Sequence, residues 1–472
     1  MSKSTAFGQS IRRLSAALKP GSYKLVAPET SSLANFLQST KEKYLSDIRA
    51  TPSKGNEWTV VMGNESGGIS SRFHPLPDLD SVASSIAYAW LHSETRKKLS
   101  IPLIQIARDD LHLRAENLYA LEIAGITDQQ LLSITDVDAI TPFPSHTFAL
   151  VDHNRLSDSF SNGNPSARVV AVIDHHEDEQ LYTDSADPRQ VEPAGSCSSH
   201  VASLYAKDEE IDMPTELATL LLSAILVDTD CLRPGGKAIQ ADRDAASYLI
   251  PLSTLSGSLP SNILSTGKEP STTRAPVMFS DIPAVKWLSD ELSSKKMEVS
   301  HLSASDLLRR DYKEYTYTLH WHPGAPTIKA GLATVPVKLN VWGSGGTLER
   351  EAQQWMDRQG LSLLGVLTSF RDAGKFGEMS GKGKHKREMA WFVRDGRGDA
   401  GAQKLVLEEI ASRLWTGLEA NGEIRVEKHK MDLGKSVYIL PAVRARVYKQ
   451  GNANATRKVT APLLKNIMES SS

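Results

Sequence analysis

The chain is poor in cysteine: among 472 residues only Cys197 and Cys231 occur. Their spacing fits neither a disulfide framework nor a zinc motif, so isolated thiols in a reducing compartment are expected. Nor is there an excess of charge of either sign. Lys and Arg number 54 against 56 Asp and Glu, which removes the global signature of a nucleic-acid or membrane-surface binder and leaves charge to be read locally. No apolar run reaches membrane-spanning length, and the leading residues MSKSTAFGQSIRRLSAALKP lack the continuous apolar stretch of a secretory signal. A soluble cytoplasmic protein is the expectation, with a mitochondrial leader built on Arg12 and Arg13 as the alternative. Also missing is any GxxxxGKS or GxxxxGKT run, which argues against nucleotide-driven phosphoryl transfer.

What the chain does have is a series of short apolar runs that end in acids or imidazoles. WTVVM (58–62), IPLIQIA (101–107), HTFALVD (146–152) and RVVAVIDHH (168–176) read as buried strands, while DSVASSIAYAWLH (80–92) and LATLLLSAILVDTD (217–230) begin as helices. Continuously apolar strands separated by helical patterns predict a parallel α/β sheet. Ligands of such sheets sit outside the carboxyl ends of the strands. Any single Asp there reads more readily as a turn residue or helix cap than as a ligand; four runs ending this way together point to a site.

A Ser/Thr/Gly/Pro-rich stretch follows near residues 251–273 and reads as a linker. Beyond it, AVKWLSDELSSKK and LSASDLLRRDYKEY suggest helices, YTYTLHW, ATVPVKL and LLGVLTSF suggest strands, and LVLEEIASRLWTGL a further helix. A second, smaller α/β domain with a mixed sheet is predicted.

Asp78, Asp80, Asp152, Asp174, His175, His176 and Asp228 together supply carboxylate oxygen and imidazole nitrogen, the ligands expected for Mn²⁺, with Mg²⁺ or Co²⁺ as neighbours in preference. Paired divalent ions can share an attacking water and clamp the oxygens of an in-line phosphoryl displacement.

The ordered set GNES, DLD, LVDHN, VIDHH and LVDTD resembles the DHH phosphoesterase superfamily. With GKGKHKRE and TRKVTAPLL in the second domain, it is most similar to the branch of manganese-dependent inorganic pyrophosphatases and fungal exopolyphosphatases. That resemblance implies a DHH domain over residues 51–255 after a helical extension (1–50), a linker (256–285), and a DHHA2-like domain (286–472). It implies two divalent cations held by Asp78, Asp80, Asp152, His175 and Asp228, with Asp152 bridging. His176 then positions phosphate, and Asp174 orients an imidazole. Lys384, His385, Arg387, Arg457 and Lys458 become the phosphate-binding residues, with Lys268 and Arg310 as extensions of the positive wall.

One departure concerns residues 68–77, which lengthen the link between GNES and DLD. Either Asn64 keeps its place and the segment loops out, or His74 of HPLPDLD takes a ligand position. The implied activity is an exopolyphosphatase releasing orthophosphate from inorganic polyphosphate, acting as a monomer without nucleic acid or membrane. Inorganic pyrophosphatase is the first alternative and a catalytically inactive regulatory relative the second. An oligonucleotide phosphodiesterase is disfavoured, since its glycine- and histidine-rich nucleotide-binding segment is not visible.

Overall fold

A computed structural model of the protein describes residues 31–64, 77–208, 210–258, 279–372, 383–394 and 407–470. His74, most of the 68–77 segment and Lys268 lie outside these residues.

The first apolar runs fold as expected from their β-branched and aliphatic content. After helix α1 (Ser32–Arg49) come β1 (Thr59–Met62), α2 (Leu79–Arg96), β2 (Ser100–Ile104), α3 (Ala115–Ile123), β3 (Leu132–Ser133), β4 (Thr147–Val151), β5 (Arg168–Asp174) and β6 (Arg189–Val191). These six strands form one sheet in the order β3-β2-β1-β4-β5-β6, with every pairing parallel. Strand order reverses between β1 and β4, and the crevice beyond their carboxyl ends is where a parallel sheet opens to ligand. Helices α4 (Cys197–Ala206), α5 (Thr215–Asp228) and α6 (Gln240–Leu252) then pack on α2 and on one another.

The next helix, α7 (Pro283–Met297), lies beyond the linker stretch, yet its Ala284, Val285, Leu288 and Leu292 are buried in the first core with α3 and α5. Each such Leu or Val contributes about 1.5–3 kcal/mol of burial. After α8 (Ala304–Arg310) the chain builds a second, mixed sheet. Its strands are β7 (Tyr312–Thr318), β8 (Thr327–Val335), β9 (Leu363–Thr368), β10 (Phe370–Asp372), β11 (Lys384–Arg394), β12 (Val426–Lys428) and β13 (Val443–Gln450). The order is β12-β13-β11-β9-β8-β7, β10 pairing with β11; only β8 and β9 run parallel. Helix α9 (Thr347–Gln359) covers one face, while α10 (Leu407–Ala420) and α11 (Arg457–Glu469) cover the other. The run ATVPVKL enters the sheet only as far as Val335, and Lys384–Glu388 of GKGKHKRE start β11, Gly381 and Lys382 lying outside the described residues.

His92 closes α2 against β2, its Nδ1 sharing a 2.6 Å hydrogen bond with Ser100 Oγ. Burial, helped by Arg96 and Lys98, pushes its pKa down to about 4. Between that value and the ordinary ~6.5, the unfolded chain binds a proton that the folded chain refuses. Stability should therefore fall as pH drops through this window, by on the order of 3 kcal/mol, and level off below it. Urea unfolding from about pH 7 to about pH 4 checks this: His92→Gln should flatten the slope, and an unchanged slope would overturn it.

Candidate metal and phosphate site

The acids gather at the ends of β4 and β5 and at the start of α2. Asp152 follows β4 directly and adopts φ 63°, a left-handed conformation that Asp tolerates better than most residues. The strained turn aims its carboxylate across the crevice rather than along the strand. Ser81 Oγ donates to Oδ2 at 2.5 Å. The other oxygen, Oδ1, is buried and has no hydrogen-bond donor. His175 Nε2 approaches it to 3.2 Å, off the line of a hydrogen bond.

Asp174, the last residue of β5, is fully buried. It accepts from Asn154 Nδ2 (2.6 Å), the His175 amide (2.8 Å) and His176 Nδ1 (2.8 Å). His175 in turn directs Nδ1 to the Ala194 carbonyl at 3.0 Å, which aims Nε2 at Asp152; against the cost of burial, the Asp152 and Asp80 carboxylates raise its pKa to about 10, so a cation bound there would displace the Nε2 proton. Donor atoms of Asp152, His175 and His176 lie within 4.8 Å of one another, a group able to hold a metal ion.

Asp78 caps α2, accepting from the Ser81 amide at 3.2 Å. Asp80, in the first turn, is held by the amino terminus of α4. It accepts from Ser196 Oγ (2.7 Å), the Cys197 and Ser198 amides (2.6 and 2.8 Å) and Ser198 Oγ (2.6 Å). One edge still reaches His175, with Oδ2 at 4.0 Å from Nε2. The small residues of AGSCSS make this close approach possible, and Asp242 fixes the loop by accepting from the Gly195 amide at 2.9 Å and Ser199 Oγ at 2.7 Å. A Cβ at Gly195 would stand 2.8 Å from the Asp242 carboxylate. Neither Asp242 nor the serines stand out in the sequence, because a buried acid satisfied by backbone amides has no motif of its own.

Burial, with Asp80 and Asp78 nearby, holds the Asp152 carboxyl well above the carboxylate range against the pull of His175. Burial, Asp78 and Asp80 do the same to Asp228 at the end of α5. Crowded buried carboxylates and an imidazole nitrogen aimed at them fit a hard or borderline divalent cation, which would displace the imidazole proton. Asn64 stands half-buried just past the end of β1.

Across the crevice the second domain presents cations. Arg457, the first residue of α11, pairs through Nη2 with Asp311 Oδ1 at 2.8 Å and donates Nη1 to the Asp311 carbonyl at 3.1 Å. Lys313 of β7 is half-buried. Burial and the neighbouring Arg457 and Lys458 lower its pKa, while Asp311 and Asp78 of the first domain pull it up. Lys313 went unremarked in DYKEY, where only the fold reveals that the charge of Asp78 reaches it. Buried Arg114 stands between the two halves, its charge favoured by Glu116, Asp311 and Asp78 against the cost of burial.

The remaining predicted residues scatter. Lys384 and His385 start β11 on alternating sides, and Arg387 donates Nε to the Ala453 carbonyl at 2.7 Å. Arg310 does not line a positive wall: it is buried and paired with Glu116 at 3.2 Å.

Among the described residues no helix is long and apolar enough to cross a membrane. A model of the DHH family N-terminal domain matches residues 72–225, and one of the DHHA2 domain matches residues 290–467. A Schizosaccharomyces pombe protein provisionally named exopolyphosphatase is 29% identical over 455 residues, covering 92% of this chain and 97% of that protein. Exopolyphosphatase PRUNE1 of Rattus norvegicus is 28% identical over 276 residues, 58% of this chain and 52% of its own length, so that match spans about half of the rat protein. A Shouchella clausii protein provisionally named manganese-dependent inorganic pyrophosphatase is 32% identical over 180 residues, 37% of this chain and 52% of that protein. With the two domain matches in tandem, on a parallel sheet that ends in an Asp/His cluster and a mixed sheet that faces it with cations, the chain belongs to the DHH/DHHA2 phosphoesterases.

Proposed function

We propose that the protein is an exopolyphosphatase that hydrolyses the terminal phosphoanhydride bond of inorganic polyphosphate with two divalent cations. The observation that carries this reading is the facing of opposite charges: the donorless Asp152 oxygen with His175 and His176 on one side, Lys313 and Arg457 on the other. A fully anionic, unbranched substrate suits such a crevice better than one with a neutral or aromatic part.

Asp78, Asp80, Asp152, His175 and Asp228 are the residues to hold the cations, which when bound supply Lewis acidity towards phosphate oxygen and lower the pKa of water. The chain's own groups do the rest. Arg457, steadied by Asp311, offers a rigid donor fork to the terminal phosphoryl group, and Lys313 and Lys458 add mobile point charges. His176, half-exposed and anchored through Nδ1 to Asp174, can present Nε2 to a phosphate oxygen. Approach of the two domains excludes water other than the nucleophile and strengthens every charge contact inside.

Inorganic pyrophosphatase is the second reading, favoured by the similarity to the Shouchella clausii protein. Parallel assays with Mn²⁺, Mg²⁺ or Co²⁺ on pyrophosphate, tripolyphosphate, long-chain polyphosphate and short oligonucleotides decide between them. Orthophosphate release from chains that shorten from the end is expected. Turnover of pyrophosphate alone would establish the second reading, and no cation-dependent release from any of them would leave an inactive relative.

A further inference from the structure

The outward end of β11 carries cations on both sides, and the two sides differ. On one, Lys386 and Lys338 share Asp372, and Glu388 pairs with His429 at 3.3 Å. On the other, the period of two continues the buried series Met389, Trp391 and Val393 outward to Arg387 and His385. There Arg387 is only 9% exposed. It is tied through Nε to the Ala453 carbonyl, and among the described residues no carboxylate lies within ion-pair distance of it. Beside it, His385 Nε2 shares a 2.9 Å hydrogen bond with Ser369 Oγ, and Arg371 pairs with His385 across the strands.

A buried guanidinium without an acid is costly. Bracing one carbonyl does not offset that cost, since a neutral donor would serve as well. The fork left free by Nε matches two oxygens of a phosphate. Its place matters too. Ala453 belongs to the segment that enters α11 at Arg457, and the order β7-β8-β9-β11 puts Arg387 three strand steps, roughly 14 Å, from β7, where Lys313 and Asp311 meet Arg457. Pyrophosphate cannot span that distance; a linear polyphosphate can.

We propose that Arg387, with His385 and Ser369, forms an outer phosphate subsite that binds the trailing part of a polyphosphate chain whose end lies at Arg457, so that substrate length is read on β11. This rests on the exopolyphosphatase reading. It adds to it a reason for preferring long chains.

The test compares kcat/KM on long-chain polyphosphate with that on tripolyphosphate in the full chain. In Arg387→Gln the ratio should fall at least about tenfold, the loss of one charge-assisted fork. Lys449→Gln, which removes an exposed charge from β13, should leave the ratio within about twofold. An unchanged ratio in R387Q, or an equal fall in K449Q, would overturn the subsite. If R387Q fails to fold, as judged by its melting, Arg387→Lys and His385→Ala carry the test, and the ratio should fall in both. If the wild-type protein turns over pyrophosphate alone, the exopolyphosphatase reading fails by itself. The subsite is then judged by equilibrium binding of long-chain polyphosphate in an Asp152→Asn background: tenfold weaker binding on adding R387Q upholds it, while unchanged binding, or equal competition by a single-stranded oligonucleotide, overturns it.

Discussion

Asparagine at position 152 should lower phosphoanhydride turnover by at least about 10³-fold while leaving the fold intact, and should raise the stability of the metal-free protein. Both effects have one cause. The Asp152 carboxylate is buried among other acids, and its Oδ1 has no donor. Held there without a cation, it destabilises the native chain; with one, it supplies an anionic ligand worth several kcal/mol to the reaction. Asn keeps the size of the side chain and tolerates the φ of 63°, so a loss of activity would not stem from a broken turn. Relieving the cost of burying this acid beside Asp80 and Asp78 should add on the order of 1 kcal/mol to metal-free stability. Metal content by elemental analysis, turnover, and urea midpoints with and without chelator together check the claim. A variant with full metal content and near-wild-type rate would refute the ligand role of Asp152.

The second large effect concerns Glu116→Gln. Glu116 is 1% exposed and sits between Arg310, at 3.2 Å, and Arg114, at 3.4 Å. Arg310 also donates to the carbonyls of Leu113 and Lys296, at 2.8 and 2.9 Å. It thereby stitches the second domain to α3 and to the end of α7. Taking away a carboxylate that meets both guanidinium groups at these distances leaves uncompensated charge in the interior at Arg310, for which about 3–5 kcal/mol of destabilisation is expected. KM should rise as well, because the next residue, Asp311, orients Arg457. Combining E116Q with Arg310→Met should recover part of the loss, since no unpaired guanidinium then remains at position 310. Tryptophan-monitored urea unfolding of both variants reads this. A double variant as unstable as the sum of the singles would show that the pair is not coupled.

Much of the first domain was legible because a parallel sheet buries both faces of its strands. Runs such as HTFALVD and RVVAVID therefore announce themselves without regard to register, and the acids that follow them mark the crevice. Less could be read where structure depends on partners distant in the chain. Strand β3 has two residues and exists only by pairing with β2. Strands β11 and β13 supply the centre of the second sheet, but both begin among charged residues, and KHKRE shows cations rather than the apolar alternation that would mark the start of a strand. Arg310 looked like a neighbour of phosphate because a sequence shows charge but not the buried Glu116 that answers it. The grip of α4 on Asp80 was equally hidden, as backbone amides carry no letter code.

Helix α7 has one more implication. It is separated from the first domain by the linker stretch, but its apolar side completes that domain's core. Severing the chain ahead of residue 283 would thus not liberate an independent catalytic half; it would uncover the surface that Leu288 and Leu292 occupy and yield a fragment prone to self-association. The same mooring limits how the halves can part. With α7 buried in one core, and Val299 and α8 in the other, the short segment from 298 to 303 and the Arg310 hydrogen bonds to Leu113 and Lys296 tie the two halves together.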